Sequence, residues 1–185
     1  MKTAVIAAHG CEEGETLTIV DIIRRAGIPC ELVGLKDEIC VGAHEICFAC
    51  DRVLGMDVSN YDLVVLPGGY GGADAMKNSD LLQAVLCKRN AEGRLIAAMC
   101  AAPIALEPCG VLDGRNYTAY VGYGEKIKAG HYLEDEVVRD GHVITSRGPA
   151  TVYAFSYALV KALGGDAQAV ADRMIYDHAF THALV

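Results

Sequence analysis

The chain has 185 residues, 52% of them hydrophobic and 22% charged, and its formal net charge is -8 at pH 7. This length suffices for one hydrophobic core, so we expect a single domain over residues 1–185. The acidic balance, with no cluster of Lys and Arg, argues against a nucleic-acid partner. No segment approaches the ~20 apolar residues that a membrane span requires. We therefore expect no membrane partner and a cytoplasmic location.

The first third of the chain predicts a strand, a helix, a second strand and a less regular stretch. Lys2 to Ala8 lacks the polar alternation of a one-sided sheet and predicts a central strand covered on both faces. Acidic residues then open a helical apolar pattern that stops at Gly27. Cys30 to Leu35 predicts the second strand. From Asp37 to Gly55 the sequence predicts only short β-rich pieces, compatible with a hairpin.

The remaining chain continues the alternation of strands and helices. The predicted elements are, in order, a strand over 63–66, a helix from the N-cap Ser79 to Gly93, a strand over 95–99, a short helical segment after Cys100, a strand over 142–146 and a helix over 151–163. Such alternation implies an α/β fold with a doubly wound, mostly parallel sheet and helices on both faces, a flavodoxin-like sandwich.

The segment around Cys100 is the most informative for chemistry. A nucleophile elbow is a strained turn between a strand and a helix, and it needs small residues two positions before and after the nucleophile. Ala98 and Ala102 satisfy that spacing around Cys100. We expect the helix N-terminus behind Cys100 to lower the thiol pKa from ~8.5 by a unit or more. The alternative is an ordinary buried residue at a strand end.

Glycines and acids follow the neighbouring strands. Gly68 and Gly69 allow backbone amides to approach a ligand, as an oxyanion site requires, although an ordinary turn has the same pattern. Glu12, Glu13 and Glu15 follow the first strand. Ligands of open α/β sheets bind beyond the carboxyl ends of the strands. We therefore expect one of these acids to face the thiol, while the others cap the helix or face water.

The remaining cysteines are expected to be unpaired and mostly buried, because a cytoplasmic compartment is reducing. The eight cysteines are Cys11, Cys30, Cys40, Cys47, Cys50, Cys87, Cys100 and Cys109. Two patterns resemble metal-ligand spacings: His44 with Cys47 and Cys50, and His178 with His182. Residues three apart on a strand point to opposite faces, and the second pair lacks the glutamate of a zincin motif. We therefore predict no metal.

These features together resemble the ThiJ/PfpI superfamily, closest to the branch that contains the parkinsonism-associated protein deglycase. The segments that carry the resemblance are GCEEGET at 10–16, DIIRRAG at 21–27, YDLVVLPGG at 61–69, IAAMCAAP at 96–103, GHY at 130–132 and TSRGP at 145–149. The resemblance implies that Cys100 is the reactive cysteine and that Glu15 is the acid hydrogen-bonded to it. It also implies that Gly69 and Ala101 donate amides to an oxyanion, and that the chain forms a homodimer.

The resemblance assigns two further residues and shows departures from the family pattern. His131 matches a histidine near the thiol, and Arg147 matches an arginine that holds anions; a surface histidine and a surface salt bridge are the alternatives. The family's second arginine falls on His44, which argues against a strongly anionic ligand. The protease branch has histidine where this chain has Ala101, and no histidine here has Glu two residues on. A Cys-His-acid hydrolase is thus disfavoured.

The resemblance implies a cofactor-independent thiol enzyme that acts on a small carbonyl compound, such as methylglyoxal, or on its glycated adducts. Cys100 would add to the aldehyde, and Glu15 or His131 would move protons to form a hydroxy acid. The sequence has no Gly-x-Gly-x-x-Gly fingerprint or Walker loop, consistent with no nucleotide cofactor. The alternatives are a redox-sensing stress protein or holdase, in which Cys100 is oxidised beside Glu15, and a cysteine amidase or peptidase.

Overall fold

The structure is a computed structural model that describes residues 1–179. Its strands are β1 (Thr3–Ala7), β2 (Cys30–Gly34), β3 (Ile39–Val41), β4 (Cys47–Ala49), β5 (Arg52–Val53), β6 (Leu63–Leu66), β7 (Leu95–Met99), β8 (Asn116–Tyr117), β9 (His131–Tyr132), β10 (Val137–Asp140) and β11 (Val143–Ser146). Its α-helices are α1 (Glu13–Arg25), α2 (Tyr70–Lys77), α3 (Asp80–Ala91), α4 (Tyr123–Lys126), α5 (Val152–Ala162), α6 (Ala167–Arg173) and α7 (Tyr176–Ala179). Short 3-10 helices cover Met56–Asn60, Ala102–Leu106 and Pro149–Thr151.

Seven strands form the central sheet, in the order β10-β11-β7-β6-β1-β2-β5. All pairings within it are parallel except that of β10 with β11. The chain runs outward from β1 through β2 to β5 and then returns to β6 on the other side of β1. This reversal creates a crevice beyond the carboxyl ends of β1 and β6, where ligands bind in such sheets. The predicted doubly wound, mostly parallel α/β fold is confirmed.

The core lies around the strands next to this crevice. All side chains of β1 and β6 are buried. Because successive side chains of a strand point to opposite faces, such complete burial requires cover on both faces of the sheet. Two groups of helices pack together: α1 with α5, and α2 with the 3-10 helix Ala102–Leu106. The sheet thus holds the ends of β1, β6 and β7 in fixed positions.

Most predicted elements are present, and the irregular stretch after β2 contains the predicted hairpin. β3 pairs with β4 in antiparallel register, and Ser79 caps α3 by accepting a hydrogen bond from the Leu82 amide. Helix α2 was not predicted, because its first turn contains Gly71 and Gly72, which have low helix propensity. The antiparallel edge strand β10 was not predicted either.

The expectation that all eight cysteines are unpaired is wrong for one pair. Cys87 on α3 and Cys109 form a disulfide. Cys87 is exposed and Cys109 half-buried, and the loop after the 3-10 helix Ala102–Leu106 brings Cys109 to α3. This contact depends on tertiary packing, so the spacing of the two residues along the chain does not reveal it. The other six thiols are free, and four of them are buried as expected: Cys11, Cys30, Cys40 and Cys100.

None of the helices within residues 1–179 is long and apolar enough to cross a bilayer. His182, one of the two histidines near the C-terminus, lies outside the described residues.

Candidate active site

Cys100 occupies a strained turn between β7 and the 3-10 helix Ala102–Leu106. Its φ of 58° lies in the left-handed region that non-glycine residues rarely adopt. Two backbone hydrogen bonds hold it there: its amide donates to Ser146 O at 3.0 Å, and its carbonyl accepts from the Tyr120 amide at 2.8 Å. Ala98 is fully buried, as is Ala102. The conformation is the predicted nucleophile elbow.

Gly68 and Gly69 bring backbone against this elbow. A Cβ on Gly68 would lie 2.4 Å from Cys100 Cβ and 2.9 Å from its Sγ, so only glycine fits. Gly69 has a φ of 86°, which again favours glycine. The amides of Gly69 and Ala101 act on the Cys100 sulfur and oppose the rise of its pKa. Two of the predicted oxyanion donors therefore lie near the sulfur.

Glu15 lies fully buried beside this sulfur. Its Oε2 accepts the Gly68 amide at 2.7 Å. A Cβ on Gly68 would lie 2.7 Å from this oxygen and 2.9 Å from Cys100 Sγ, so the carboxyl and the sulfur are neighbours. Its Oε1 is buried without a hydrogen-bond partner among the described residues. The Gly68 amide thus positions the acid and is not available for an oxyanion. Glu15 is thus the one of the three acids that lies beside the thiol, as the family resemblance implied.

The pKa values of the pair follow from burial. Burial raises the pKa of Glu15 to about 7, although hydrogen bonds from Gly68 and Cys100 lower it. Burial, and next the charge of Glu15, raise the pKa of Cys100 to about 12, against the opposite effect of the Gly69 and Ala101 amides. The expected depression of the thiol pKa is therefore wrong. The helix behind Cys100 is a five-residue 3-10 turn with a small dipole, and the residue is only 6% exposed.

Because Cys100 and Glu15 lie side by side and each shifts the pKa of the other, they titrate as one pair. The first proton leaves near pH 7 and the second near pH 12. Between these values the pair carries one negative charge, as a carboxylate beside a thiol or as a thiolate beside a protonated acid. At neutral pH, Glu15 can therefore accept the thiol proton when the sulfur attacks. A base with a pKa near the working pH is well suited to that step.

Cys100 opens into a cavity of about 550 Å³. Its other lining residues are Glu12, Ala43, His44, Gly69, Tyr70, Tyr120 and Pro149. Tyr70 and Tyr120 were not predicted as site residues. The position of Tyr70 directly after the predicted oxyanion turn was the one sequence signal for it. Nothing in the sequence marks Tyr120, because a loop far from Cys100 in sequence brings it there.

His44 stands at the rim of this cavity between two carboxylates. Its Nδ1 lies 3.3 Å from Glu13 Oε2 and 3.5 Å from Glu12 Oε2, and its amide donates to Glu13 Oε1 at 2.9 Å. Burial alone would raise the pKa of Glu13, but hydrogen bonds from its own amide and from His44 lower it. Glu13 therefore stays anionic. Its carboxylate accepts hydrogen bonds from the loop between β3 and β4 and holds that loop against the first turn of α1. Within residues 1–179, these three side chains are the one group of metal-ligand type that converges, with ligand atoms within 4.8 Å of one another.

Comparison with known proteins decides the family. The model of the DJ-1/PfpI family matches residues 1–162. The chain belongs to the DJ-1/PfpI family. It is 39% identical over 165 residues to protein dj-1beta of Drosophila melanogaster, across 87% of this chain and 88% of that protein. It is 28% identical over 166 residues to deglycase PfpI of Pyrococcus furiosus, across 88% of this chain and 99% of that protein. A crystal structure of Drosophila DJ-1beta matches with a TM-score of 0.89 at 38% identity and covers 94% of this chain and 97% of its own.

Two residues that the family resemblance assigned to the site lie elsewhere in this DJ-1/PfpI chain. His131 is exposed on β9, where it pairs with Asn116, and it is not among the described residues that line the Cys100 cavity. Arg147 bonds Glu134 O at 3.2 Å and Tyr132 Oη at 3.4 Å. It lines a neighbouring depression that shares Tyr120 and Pro149 with the cavity. Their assigned roles remain predictions.

The pattern of His44, Cys47 and Cys50 does not converge on one point in this family member. Cys47 is exposed on β4. Cys50 instead faces Cys40, with 3.7 Å between the sulfurs. His44 turns to the carboxylates of the α1 start. The three residues therefore do not come together, but of them only Cys47 lies on a strand, so the predicted strand alternation is not the reason.

Burial of Glu15 should make the stability of this DJ-1/PfpI chain depend on pH. The pKa of Glu15 is raised in the folded state from 4.5 to about 7, so the folded state binds more protons than the unfolded state between these values. The free energy of unfolding therefore falls as the pH rises through this window, by about 2 to 3 kcal/mol. Glu15→Gln removes this loss. Urea unfolding at pH 5 and pH 8 measures this. The free energy of unfolding of Glu15→Gln, relative to that of the wild type, should be about 2 to 3 kcal/mol higher at pH 8 than at pH 5.

Glu12→Gln is the matched control, because Glu12 is a nearby carboxylate that lines the Cys100 cavity and is not fully buried. We expect its stability relative to the wild type to change much less between pH 5 and pH 8. An equal gain in both variants would show that the net charge of the chain, and not burial of Glu15, causes the effect.

Proposed function

We propose that this chain is a cofactor-independent thiol enzyme that converts a small α-ketoaldehyde, such as methylglyoxal or its glycated adducts, to a hydroxy acid. One observation carries the proposal: the Cys100 sulfur lies beside the buried Glu15 carboxyl, and Glu15 and the amides of Gly69 and Ala101 all act on its pKa. A nucleophile, a base with a pKa of about 7 and two oxyanion donors thus meet at one point. The name of the deglycase relative from Pyrococcus furiosus supports carbonyl chemistry.

The first step forms a bond between sulfur and the aldehyde carbon. The thiol proton passes to the Glu15 carboxylate, and the carbonyl electron pair moves to oxygen, where the Gly69 and Ala101 amides stabilise the charge. Glu15 passes its proton to the charged oxygen, which gives a hemithioacetal, and as a carboxylate again it removes the former aldehyde C–H as a proton and delivers it to the neighbouring ketone carbon, which gives a 2-hydroxy thioester. Water releases the hydroxy acid and the free thiol. The oxidation of one carbon balances the reduction of the other, so no external oxidant or reductant takes part.

The test is lactate formation from methylglyoxal by the purified chain without added cofactor. We expect many turnovers per Cys100, measured as lactate by proton NMR. Consumption of methylglyoxal only in proportion to the thiols and amines present would contradict the proposal, because it would show adduct formation without catalysis.

The redox-sensor alternative needs a resting thiolate that reacts with peroxide. The raised pKa of Cys100 and its 6% exposure count against it. The amidase alternative needs a histidine base for Cys100. His44 reaches the same cavity, but its Nδ1 is turned to Glu13. The homodimer and the cytoplasmic location stay predictions.

The same pair of groups predicts how Cys100 reacts with iodoacetamide. In the wild type we expect the alkylation rate to rise with pH around 7, as the first proton leaves the pair and Glu15 becomes able to accept the thiol proton. In Glu15→Gln the thiol has no neighbouring base, and burial still raises its pKa above 9.0. The rise should therefore move to a pH above 9, with about tenfold or greater loss of rate at pH 7.5.

Mass spectrometry of the Cys100 peptide measures this rate separately from the other thiols. Glu12→Gln is again the control: the charge of Glu12 is the smallest of the contributions to the Glu15 pKa, so we expect only a small shift of the profile to lower pH. A profile that is the same in the wild type and Glu15→Gln would exclude Glu15 as the base.

A further inference from the structure

The cavity over Cys100 is larger than its simplest substrate needs. Its volume is about 550 Å³, within the range of pockets that enclose drug-sized ligands. Methylglyoxal, whose only side group is a methyl, leaves most of that space filled with water. A bound ligand with a larger apolar group would displace this water and gain affinity.

The wall beside the oxyanion donors is aromatic. Tyr70 follows Gly69 in the chain and lines the cavity together with Tyr120. The two rings meet edge to face, with centroids 6.1 Å apart. Behind them, Tyr123 lies nearly parallel to Tyr70 at 6.2 Å and carries Lys126 over its ring at 4.2 Å. The cluster therefore fixes Tyr70 from one side.

Tyr70 is nonetheless 63% exposed. An aromatic ring that packs on one side and lines a cavity on the other offers its free surface to a ligand. Planar rings pack well against such a surface, edge to face or offset. Since Gly69 and Cys100 line the same cavity and Tyr70 is the residue after Gly69, a ring attached to the reacting carbonyl would lie against Tyr70.

The charges around the cavity favour an uncharged substituent. None of the described residues that line it is Arg or Lys, and its one acid, Glu12, faces His44 at 3.5 Å. Arg147 lies in the neighbouring depression and bonds Glu134 and Tyr132. A dicarbonyl with a carboxylate or phosphate would therefore lose its hydration in this cavity without gaining a cationic partner.

We propose that the preferred substrate class is an aryl α-ketoaldehyde, whose ring packs against Tyr70 and Tyr120 while Cys100 attacks the aldehyde. This inference rests on the proposed function for turnover, but not for recognition of the ring. The reaction is the one balanced above: one water is consumed, and the product is an aryl hydroxy acid.

The test compares phenylglyoxal with methylglyoxal. In the wild type we expect kcat/KM for phenylglyoxal to be about tenfold higher or more, because the ring leaves water on binding. Tyr70→Ala should lower the ratio of the two values about tenfold, whereas Tyr70→Phe should keep it. Tyr153→Ala, which removes a tyrosine of α5 that packs on Tyr176 outside the cavity, is the control and should also keep it. A wild-type ratio of one or less, or an unchanged ratio in Tyr70→Ala, would overturn the inference.

A second measurement separates this inference from the proposed function. Phenacyl bromide and bromoacetone alkylate Cys100 without turnover, and each rate is divided by the rate with free glutathione. We expect the phenacyl probe to be favoured about tenfold in the wild type, and this preference to be lost in Tyr70→Ala. If neither ketoaldehyde turns over but the preference is present, the proposed function fails and the aromatic site stands. If methylglyoxal turns over without any preference, the inference alone fails.

Discussion

Replacing Cys100 with serine is expected to lower kcat/KM for lactate formation from methylglyoxal by about 10³-fold or more. A hydroxyl is a far weaker acid than a thiol, so Glu15, with a pKa of about 7, cannot take its proton to a useful extent. The amides of Gly69 and Ala101 would remain in place, but they would have no bound intermediate to stabilise. Lactate formation at several methylglyoxal concentrations measures the loss.

Cys47→Ser is the matched control, since Cys47 is a free and exposed thiol. It should keep the wild-type rate, because adduct formation at an exposed thiol does not lead to a hydroxy acid. Circular dichroism should show that Cys100→Ser folds like the wild type. A serine variant that folds and keeps more than about a tenth of the activity would contradict the mechanism, because no other group here replaces the nucleophile.

The elements that the sequence predicted well have strong local signals. β6 and β7 are continuous apolar runs with glycine or small residues after them, and both were placed without error at Leu63–Leu66 and Leu95–Met99. The elbow at Cys100 follows from a local rule about small neighbours. Topology predicted that one of Glu12, Glu13 and Glu15 faces the thiol, because the carboxyl ends of parallel strands meet at one edge of the sheet. The choice of Glu15 among them came from the family resemblance.

The parts that could not be predicted depend on tertiary packing. Tyr120 enters the cavity because its amide binds the carbonyl of Cys100, a contact across 20 positions of the chain. His131 shares a family motif but lies on a short strand that pairs with Asn116, and it is not among the described residues that line the Cys100 cavity. The sequence also could not show the sign of the thiol pKa shift. That sign depends on how deeply Cys100 and Glu15 are buried, and this is a property of the packed core.

Arg89→Met is expected to lower the free energy of unfolding by about 3 to 5 kcal/mol. Arg89 on α3 is fully buried, and none of the ion pairs described within residues 1–179 includes it. Its guanidinium instead donates to the backbone carbonyls of four residues: Ser59, Tyr61, Asp62 and Leu95. Burial lowers its pKa to about 10, so it stays charged at neutral pH. Methionine fills a similar space but leaves these carbonyls without their donor.

These carbonyls belong to the segments that enter β6 and β7, the strands that end at Gly68 and Cys100. Loss of Arg89 should therefore also loosen the entry to both strands, which hydrogen exchange of β6 and β7 amides would detect. Lys88→Met is the control, because Lys88 reaches the same 56–60 segment from a more exposed position. We expect urea unfolding to show a change below about 1 kcal/mol for that variant. Equal losses for both variants would mean that the surface contact, and not the buried guanidinium, holds the strands in place.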